Sequence, residues 1–209
     1  MHPSSPERDH AFSAVLLAGG RSVRMGRDKA LLPHPVSGRP LILHQLDTLR
    51  AAGAAELFLS LRSGTDYPLV PATVTRLFDD GTRGPMAGIA TALAAARHPR
   101  LLVLAVDLPG VTPEILTAWR ARAPINTGYV PVSRNGAEPL CAFYPRAASV
   151  WFEQALADGR LTLQTLIAEL VRLGLVQSSA LPPGEAELLW NWNQPTDGPP
   201  TDASARRES

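Results

Sequence analysis

The chain has 209 residues, of which 45% are hydrophobic and 19% charged, and its formal net charge at pH 7 is +1. This composition is typical of a globular protein and gives no general electrostatic reason to expect nucleic acid or a membrane as partner. The length suits a single domain with a sizeable hydrophobic core.

Several sequence features favour the cytoplasm. The longest apolar runs are too short or too interrupted to span a bilayer, and the first ten residues lack the basic start and apolar middle of a signal peptide. The one cysteine, Cys141, cannot form an intrachain disulfide. We expect residues 1–10 to be a flexible tail, residues 11–197 a single domain, and the Pro-, Ser- and Arg-rich residues 198–209 a disordered tail.

Strand-like and helix-like segments alternate through the first 122 residues. Short β-prone runs predict strands at 14–17, 56–61, 74–78 and 101–106, and the segments between them predict helices at 40–53, 86–97 and 112–122. The run at 101–106 is continuously apolar, as expected for a parallel strand buried on both faces. The alternation predicts an α/β fold with an open, mostly parallel, Rossmann-like sheet and helices on both faces.

The pattern is less regular after residue 122. Here the sequence predicts strands at 129–132 and 139–144, helices at 146–157 and 163–173, and a final strand at 188–191.

A glycine-rich loop follows the first predicted strand. From Leu17 to Lys29 the sequence reads L-A-G-G-x-x-x-R-M-G-x-D-K, with Gly19 and Gly20 near the strand end. Glycines here let backbone N–H groups approach a phosphate without an intervening Cβ. The spacing fits neither G-x-x-x-x-G-K-[ST] nor G-x-G-x-x-G. The loop therefore indicates a nucleotide site of another type.

Basic residues in the loop support a phosphate ligand. Lys29 is the one lysine among 20 basic residues, so its position at the end of the loop indicates a need for a compact ammonium rather than a planar guanidinium. Arg24 adds a second nearby cation. A tight turn with solvated basic residues is the alternative interpretation.

Two carboxylates follow predicted parallel strands, and ligands of such sheets bind beyond the carboxyl ends of the strands. Asp107 follows the buried strand at 101–106 and could either cap a turn or hold Mg²⁺, which takes one or two carboxylates plus waters and phosphates. Asp80 lies beside Asp79 and Gly81 and could belong to a turn or to the site. Cys141 and the five histidines suggest neither a nucleophile nor a metal cluster.

The loop resembles that of the LAGG-loop nucleotidyltransferases. Four further segments extend the resemblance, and the first and last of them narrow it to the molybdenum cofactor guanylyltransferase family. These are D…G-P-[LM]-A-G-I at 80–89, L-x-x-D-x-P at 104–109, P-L-x-A-x-Y at 139–144 and N-x-N-x-P-x-D at 191–197. They occur in the family's order over nearly the whole chain. The resemblance implies a nucleotide-binding half at 11–122 and an acceptor-side half at 123–197.

The resemblance also implies a reaction. The phosphate of molybdopterin, with or without molybdenum, would attack the α-phosphate of GTP, releasing pyrophosphate and forming a guanine dinucleotide cofactor. The implied cofactor is Mg²⁺, and the implied partners are GTP, molybdopterin, other cofactor-maturation proteins and recipient molybdoenzymes. Such a reaction needs cationic charge and in-line positioning more than a protein nucleophile.

Roles for individual residues follow from the matching positions. The resemblance implies guanine and ribose contacts for Leu17, Ala18 and Gly19, phosphate contacts for Lys29, a nucleoside contact for Asp80, and the Mg²⁺ ligand role for Asp107. Gly20 also belongs to the expected nucleotide site, where its backbone amide would add positive charge. The catalytic charges would come from Lys29, Arg24 and the metal on Asp107.

The chain departs from the family pattern at three places, one of which is a short link from Asp80 to Gly84. Ser60 stands where some relatives have an asparagine in the nucleotide site, and the linker at 32–40 is longer than the family's usual L-x-G-x-P. Other interpretations are a cytidylyltransferase acting on the same pterin, a sugar-phosphate nucleotidyltransferase, and a non-catalytic carrier of nucleotide or pterin.

Overall fold

The structure is a computed structural model that describes residues 11–19, 28–79, 83–160 and 162–192. The predicted tails at 1–10 and 198–209 lie outside the described residues, as do three candidate site residues, Gly20, Arg24 and Asp80.

Eight strands form one sheet in the described part of the chain. In chain order, β1 to β8 are Ser13–Leu17, Glu56–Arg62, Thr75–Asp79, Arg100–Ala105, Gly128–Ser133, Gly136–Ala137, Cys141–Pro145 and Val176–Ala180. Their order in the sheet is β3-β2-β1-β4-β7-β5-β6, and β8 pairs with β5.

The four strands of the first half are all parallel. Val15 of β1 lies opposite Phe58 of β2 on one side and Val103 of β4 on the other, and β3 continues the parallel arrangement beyond β2. In the second half, β7 is antiparallel to β4 and β5, β6 is antiparallel to β5, and β8 is parallel to β5. The predicted open, mostly parallel α/β sheet is confirmed.

Helices cover both faces of this sheet, as predicted. In chain order, the described helices α1 to α6 are Leu41–Ala51, Pro85–Ala95, Pro113–Ala121, Ser149–Ala157, Leu163–Arg172 and Pro183–Ala186. Apolar side chains of α1 and α3 pack on one face, and those of α2, α4 and α5 pack on the other. In the described ranges, no helix has both the length and the apolar character needed to cross a membrane.

The central strands explain why the core has two layers. Successive side chains of a strand point to opposite faces, so Leu16 of β1 joins the cluster under α1 and α3 while Val15 joins the cluster under α2. All six residues of β4 are buried. The continuous apolar run in this segment is therefore the consequence of burial on both faces.

The prediction of a final strand at 188–191 is wrong. Residues Glu187–Leu189 form a short 3-10 helix, and the chain after it is extended but unpaired with the sheet. The segment packs against the loop after β4 instead: a Cβ added to Gly110 would lie 2.6 Å from the Leu188 carbonyl oxygen and from Trp190 Nε1, and the Leu188 and Trp190 side chains pack against the core cluster under α1 and α3. The segment is hydrophobic because it covers the loop after β4.

The strand that completes the second half, β8, was not predicted from the sequence. Four of its five residues are exposed, and its composition, V-Q-S-S-A, shows no alternation of apolar and polar residues. An exposed edge strand is held mainly by backbone hydrogen bonds to its neighbour, so the side chains carry little signal.

A network of hydrogen bonds between partly buried side chains joins the C-terminal segment to α3. Glu185 of α6 accepts a hydrogen bond from Trp119 Nε1 at 2.8 Å and another from the Arg122 guanidinium. Arg122 also donates to the Tyr129 hydroxyl at 3.1 Å. Burial opposes ionisation of Glu185, but the hydrogen bonds from Arg122 and Trp119 outweigh it and hold the pKa of this carboxyl below its usual value.

We expect Glu185→Gln to lower the free energy of unfolding at pH 7 by roughly 1 kcal/mol, since the lost hydrogen bonds involve charges with partial access to water. Because the pKa of Glu185 is lowered by folding, its contribution is present above the unfolded value of about 4.5 and is lost as the pH falls through the folded value. Thermal melts between pH 7 and 3 should therefore show the difference from wild type shrinking in acid. Glu153→Gln, at an exposed position of α4, is the control.

Candidate active site

The carboxyl ends of β1 and β4 meet at the point where the strand order reverses. From β1 the chain moves outward to β2 and β3 and then returns to β4 on the other side of β1. Such a switch point forms a crevice at the ends of the strands. Here the Ala18 N–H donates to the Ser60 carbonyl at 3.0 Å and the Val106 N–H donates to the Leu17 carbonyl at 3.1 Å.

Lys29 begins a short 3-10 helix, Lys29–Leu31, that is fixed by its neighbour Asp28. One Asp28 carboxylate oxygen accepts the Ala30 N–H at 3.0 Å, and the other accepts the Tyr67 hydroxyl at 2.5 Å. Tyr67 is buried, and burial together with the Asp28 carboxylate raises the pKa of its hydroxyl well above the usual range. Tyr67 therefore stays a neutral donor that holds the backbone beside Lys29.

Lys29 and Asp107 face each other across the crevice. The Lys29 Nζ lies 3.6 Å from Asp107 Oδ2, and the two side chains are 19% and 27% exposed. Both charges are therefore accessible to a ligand while being partly shielded from water. An ammonium and a carboxylate at this distance can act together on one phosphate–metal group, the ammonium on phosphate oxygens and the carboxylate on the cation.

The carboxylate of Asp107 suits a hard cation whose other ligands are waters and phosphate oxygens. The described residues contain no group of three or more His, Cys, Asp or Glu side chains able to hold a metal ion. A zinc site with three or four protein ligands is therefore absent from this part of the chain. A single carboxylate paired with an ammonium fits Mg²⁺, which keeps several waters and takes one or two protein carboxylates together with phosphate oxygens of a substrate.

Gly19 lies against the backbone at the end of β2. A Cβ at this position would be 3.2 Å from the Arg62 nitrogen and 3.5 Å from the Leu61 carbonyl carbon. This contact is tighter than van der Waals distance, so a Cβ here would require the backbone of the loop or of β2 to shift by a few tenths of an ångström, and a larger side chain would require more. The glycine thus has a packing role in addition to any contact with a nucleotide.

We expect Gly19→Val to weaken GTP binding by about tenfold or more, equivalent to at least about 1.4 kcal/mol, because the branched side chain displaces the loop. Isothermal titration calorimetry measures the change. Gly19→Ala should show a smaller loss, and Gly184→Ala, where a Cβ would meet nothing within 4 Å, is the control. Wild-type affinity in a folded Gly19→Val protein would remove this loop from the site.

Ser60 lies beneath the surface of the crevice. The residue is 4% exposed, and its hydroxyl faces Gly88 of α2, where an added Cβ would lie 2.5 Å from Ser60 Oγ. Gly88 therefore allows α2 to approach β2 closely. A contact between Ser60 and a nucleotide stays a prediction, as do the contacts of Leu17 and Ala18.

A pocket of about 270 Å³ opens beside Asp107 on the side of the second half. Polar side chains line it from four different segments: Asp107, Asn135, Glu138, Gln164 and Asn191. The predicted acceptor-side half therefore contributes most of a concave surface that adjoins the Lys29–Asp107 pair.

The lone cysteine is part of the core, as expected. Cys141 of β7 is fully buried, and burial raises the pKa of its thiol far above the usual range. It is therefore not a reactive nucleophile.

The sequence identifies the family to which this site belongs. Residues 14–173 match the MobA-like NTP transferase domain. The chain belongs to this family. The transferase is 36% identical over 191 residues to a probable molybdenum cofactor guanylyltransferase of Opitutus terrae, a match covering 90% of this chain and 93% of that protein. It is 33% identical over 173 residues to the molybdenum cofactor guanylyltransferase of Pseudomonas putida, covering 80% and 88% of the two chains.

Solved structures show the same fold. The transferase superposes on molybdopterin-guanine dinucleotide biosynthesis protein A from Archaeoglobus fulgidus with a TM-score of 0.66 and 21% sequence identity, covering 88% of this chain and 93% of that one. It also superposes on 2-C-methyl-D-erythritol 4-phosphate cytidylyltransferase from Thermus thermophilus, with a TM-score of 0.61, 21% identity and coverage of 87% and 92%. At these identities the likeness concerns the fold alone.

The structure adds residues that the sequence analysis missed. Asp28 and Tyr67 fix the position of Lys29, and the Trp192 N–H donates to the Asp107 carbonyl at 2.9 Å. The adjacency of Asp28 and Lys29 in the D-K motif was a usable signal. Nothing in the sequence around Tyr67 indicates its hydrogen bond with Asp28, which lies 39 residues earlier in the chain.

Proposed function

We propose that this transferase moves GMP from GTP to the phosphate of molybdopterin or molybdenum-molybdopterin. A phosphate oxygen of the acceptor attacks the α-phosphorus of GTP, the bond from that phosphorus to the bridging oxygen of the β-phosphate breaks, and pyrophosphate leaves. The products are pyrophosphate and a guanine dinucleotide cofactor.

The observation that carries the proposal is the Lys29–Asp107 pair at the strand switch point. Asp107 of this pair also lines the 270 Å³ pocket of the second half, and Lys29 stands at the end of the glycine-rich motif that follows β1. A transfer reaction needs a donor and an acceptor on either side of one charged centre. The names of the relatives, which are molybdenum cofactor guanylyltransferases, support GTP and molybdopterin as these substrates.

Asp107 is the residue that would hold Mg²⁺. When bound, the ion neutralises phosphate charge and lets two anionic groups approach each other. The chain's own residues bind and orient the two substrates. Lys29 binds and orients phosphate oxygens, Asp28 and Tyr67 hold the Lys29 backbone in place, and the polar side chains of the pocket orient the acceptor.

The deciding experiment incubates the protein with Mg²⁺ and each labelled nucleotide, GTP, CTP or ATP, in the presence of molybdopterin, of a sugar phosphate, or of neither acceptor. We expect pyrophosphate release and label transfer with GTP in the presence of molybdopterin. Transfer to molybdopterin from CTP but not from GTP would support a cytidylyltransferase. Transfer to the sugar phosphate but not to molybdopterin would support a sugar-phosphate nucleotidyltransferase. Nucleotide binding without pyrophosphate release from any of them would support a carrier.

A further inference from the structure

Three successive carbonyl groups after β4 are each held by a distant segment. The Asp107 carbonyl accepts the Trp192 N–H at 2.9 Å, the Leu108 carbonyl accepts Gln45 Nε2 at 2.6 Å, and the Pro109 carbonyl accepts His34 Nε2 at 3.1 Å. Residues 107–109 belong to no helix or strand. The Leu108 carbonyl also accepts a local hydrogen bond from the Val111 N–H at 3.3 Å. The shape of this loop therefore depends on distant donors in addition to this local turn.

Gln45 lies on the apolar face of α1 and is fully buried. Its Nε2 serves the Leu108 carbonyl, while its Oε1 has no hydrogen-bond partner in the described residues. Leaving a buried acceptor unsatisfied costs stability. Packing alone would favour an apolar side chain of similar size here. We therefore attribute the amide at this position to its hydrogen bond with the loop.

His34 lies in the linker between Lys29 and α1 and is 7% exposed. Its Nδ1 accepts the N–H groups of Val36 at 3.2 Å and Ser37 at 3.1 Å. Because Nδ1 accepts twice, the hydrogen bonds assign the proton to Nε2, which donates to the Pro109 carbonyl. One ring thus joins a local turn to the loop that carries Asp107.

The linker at 32–40 is the segment that is longer than in the family pattern. In the structure it forms a compact turn, in which the His34 N–H donates to the Arg39 carbonyl at 2.7 Å and Gly38 adopts a left-handed conformation with a φ of 66°. The turn closes with an antiparallel bridge between Pro33 and Pro40. The longer linker therefore builds a rigid support for His34.

We propose that His34 and Gln45 are positioning residues for Asp107. By holding the carbonyls of residues 108 and 109, they fix the loop so that the Asp107 carboxylate faces Lys29, and they thereby set the affinity of the site for a divalent cation. This inference rests on the proposed function, in which Asp107 holds the metal. Groups that orient a metal ligand typically change metal affinity by about 10- to 100-fold when they are removed.

A matched pair of substitutions tests His34. In His34→Asn, the side-chain oxygen takes the place of Nδ1 and can accept from Val36 and Ser37, but no donor reaches Pro109. In His34→Gln, the side-chain nitrogen takes the place of Nε2 and can donate to Pro109, but the local acceptor is lost. We expect His34→Asn to bind the cation about tenfold more weakly than wild type. His34→Gln should bind it with an affinity close to that of wild type.

Cation binding is measured by Mn²⁺ titration of the GTP complex with electron paramagnetic resonance, alongside the Mg²⁺ concentration that gives the half-maximal transfer rate. A purely structural role predicts the opposite order, because the local turn depends on Nδ1. Equal cation affinity in the two variants, or weaker binding in His34→Gln than in His34→Asn, would overturn the positioning role of His34.

Gln45→Met tests the second contact, with Leu46→Met on the same helix as control. Both residues are buried, but of the two only Gln45 has a side chain that can donate a hydrogen bond to the loop. We expect Gln45→Met to raise the Mn²⁺ and Mg²⁺ requirements by about tenfold while melting close to wild type, since it also removes the unsatisfied Oε1. Leu46→Met should leave the cation requirement unchanged.

The outcomes separate the two proposals. A folded Gln45→Met protein with wild-type Mn²⁺ affinity would overturn the positioning role of Gln45. If the wild-type protein binds Mn²⁺ with GTP but transfers no GMP, the proposed reaction fails, and the Mn²⁺ titrations of the variants still decide whether His34 and Gln45 position the site.

Discussion

Lys29→Ala should lower the rate of GMP transfer by on the order of 10²-fold, the usual loss when one electrostatic contact to the reacting group is removed. The ammonium lies 3.6 Å from the Asp107 carboxylate at the strand switch point, and its backbone is held in place through Asp28. Lys29 is the one lysine of the chain, so no other ammonium side chain can take its place. Pyrophosphate release at saturating GTP measures the loss.

Stability should change little in this variant. The Lys29–Asp107 pair is partly exposed, so the carboxylate that loses its partner is still solvated, and such pairs contribute about 0–1 kcal/mol. Thermal melts therefore separate a catalytic loss from unfolding.

Two further variants show what kind of cation the site requires. Lys29→Arg keeps the charge but replaces a compact ammonium with a planar guanidinium, so we expect partial activity. Arg97→Ala removes a cation that pairs with Glu56 near the start of β2, at the opposite end of the sheet, and should leave transfer unchanged. A wild-type rate in folded Lys29→Ala would contradict a role of Lys29 in the reaction.

The sequence predicts the parts of the fold that local patterns determine. The buried run of β4 and the amphipathic α1 have strong periodic or apolar signals, and their positions agree with the structure within one to two residues. Because parallel strands end at the same edge of a sheet, the two strand ends also predict that the loop after β1 and Asp107 lie close together. The 3.6 Å separation of Lys29 and Asp107 agrees with this expectation.

Long-range polar contacts could not be predicted in this way. Gln45 is a polar residue within a helical pattern, and its partner lies 63 residues further along the chain. The Tyr67–Asp28 and His34–Pro109 contacts likewise join segments that only the folded chain brings together. The final strand was wrongly predicted for a similar reason, since the apolar side chains of Leu188 and Trp190 pack against the core cluster under α1 and α3 and do not belong to a strand of the sheet.

Asp107→Asn distinguishes a metal ligand from a turn residue, two interpretations that the sequence left open. In the described part of the chain, the loop after β4 is held through its backbone carbonyls, by Trp192, Gln45 and His34. The Asp107 carboxylate itself faces the Lys29 ammonium. This arrangement disfavours a turn role, because the donors that shape the loop do not use the carboxylate.

Asparagine keeps the shape of the side chain and its ability to accept a hydrogen bond, but it removes the charge that a hard cation seeks. We therefore expect Asp107→Asn to melt near wild type, to lose transfer activity by on the order of 10²-fold or more, and to need much more Mg²⁺ to bind GTP. Pyrophosphate release measured across a magnesium titration gives the transfer rate and its Mg²⁺ requirement for both proteins, calorimetric titration with GTP gives the Mg²⁺ requirement for binding, and thermal melts give the stability.

Each interpretation gives a different result in that titration. A metal ligand predicts a wild-type curve that saturates with Mg²⁺ and a variant curve that is displaced to higher concentration and lower rate. A turn residue predicts that activity and metal dependence survive together, with any loss appearing in the melting temperature. A carrier predicts no Mg²⁺-dependent pyrophosphate release in either protein. Because the loop backbone is anchored independently of the carboxylate, a loss of transfer in a variant of unchanged stability would assign the effect to the negative charge of Asp107.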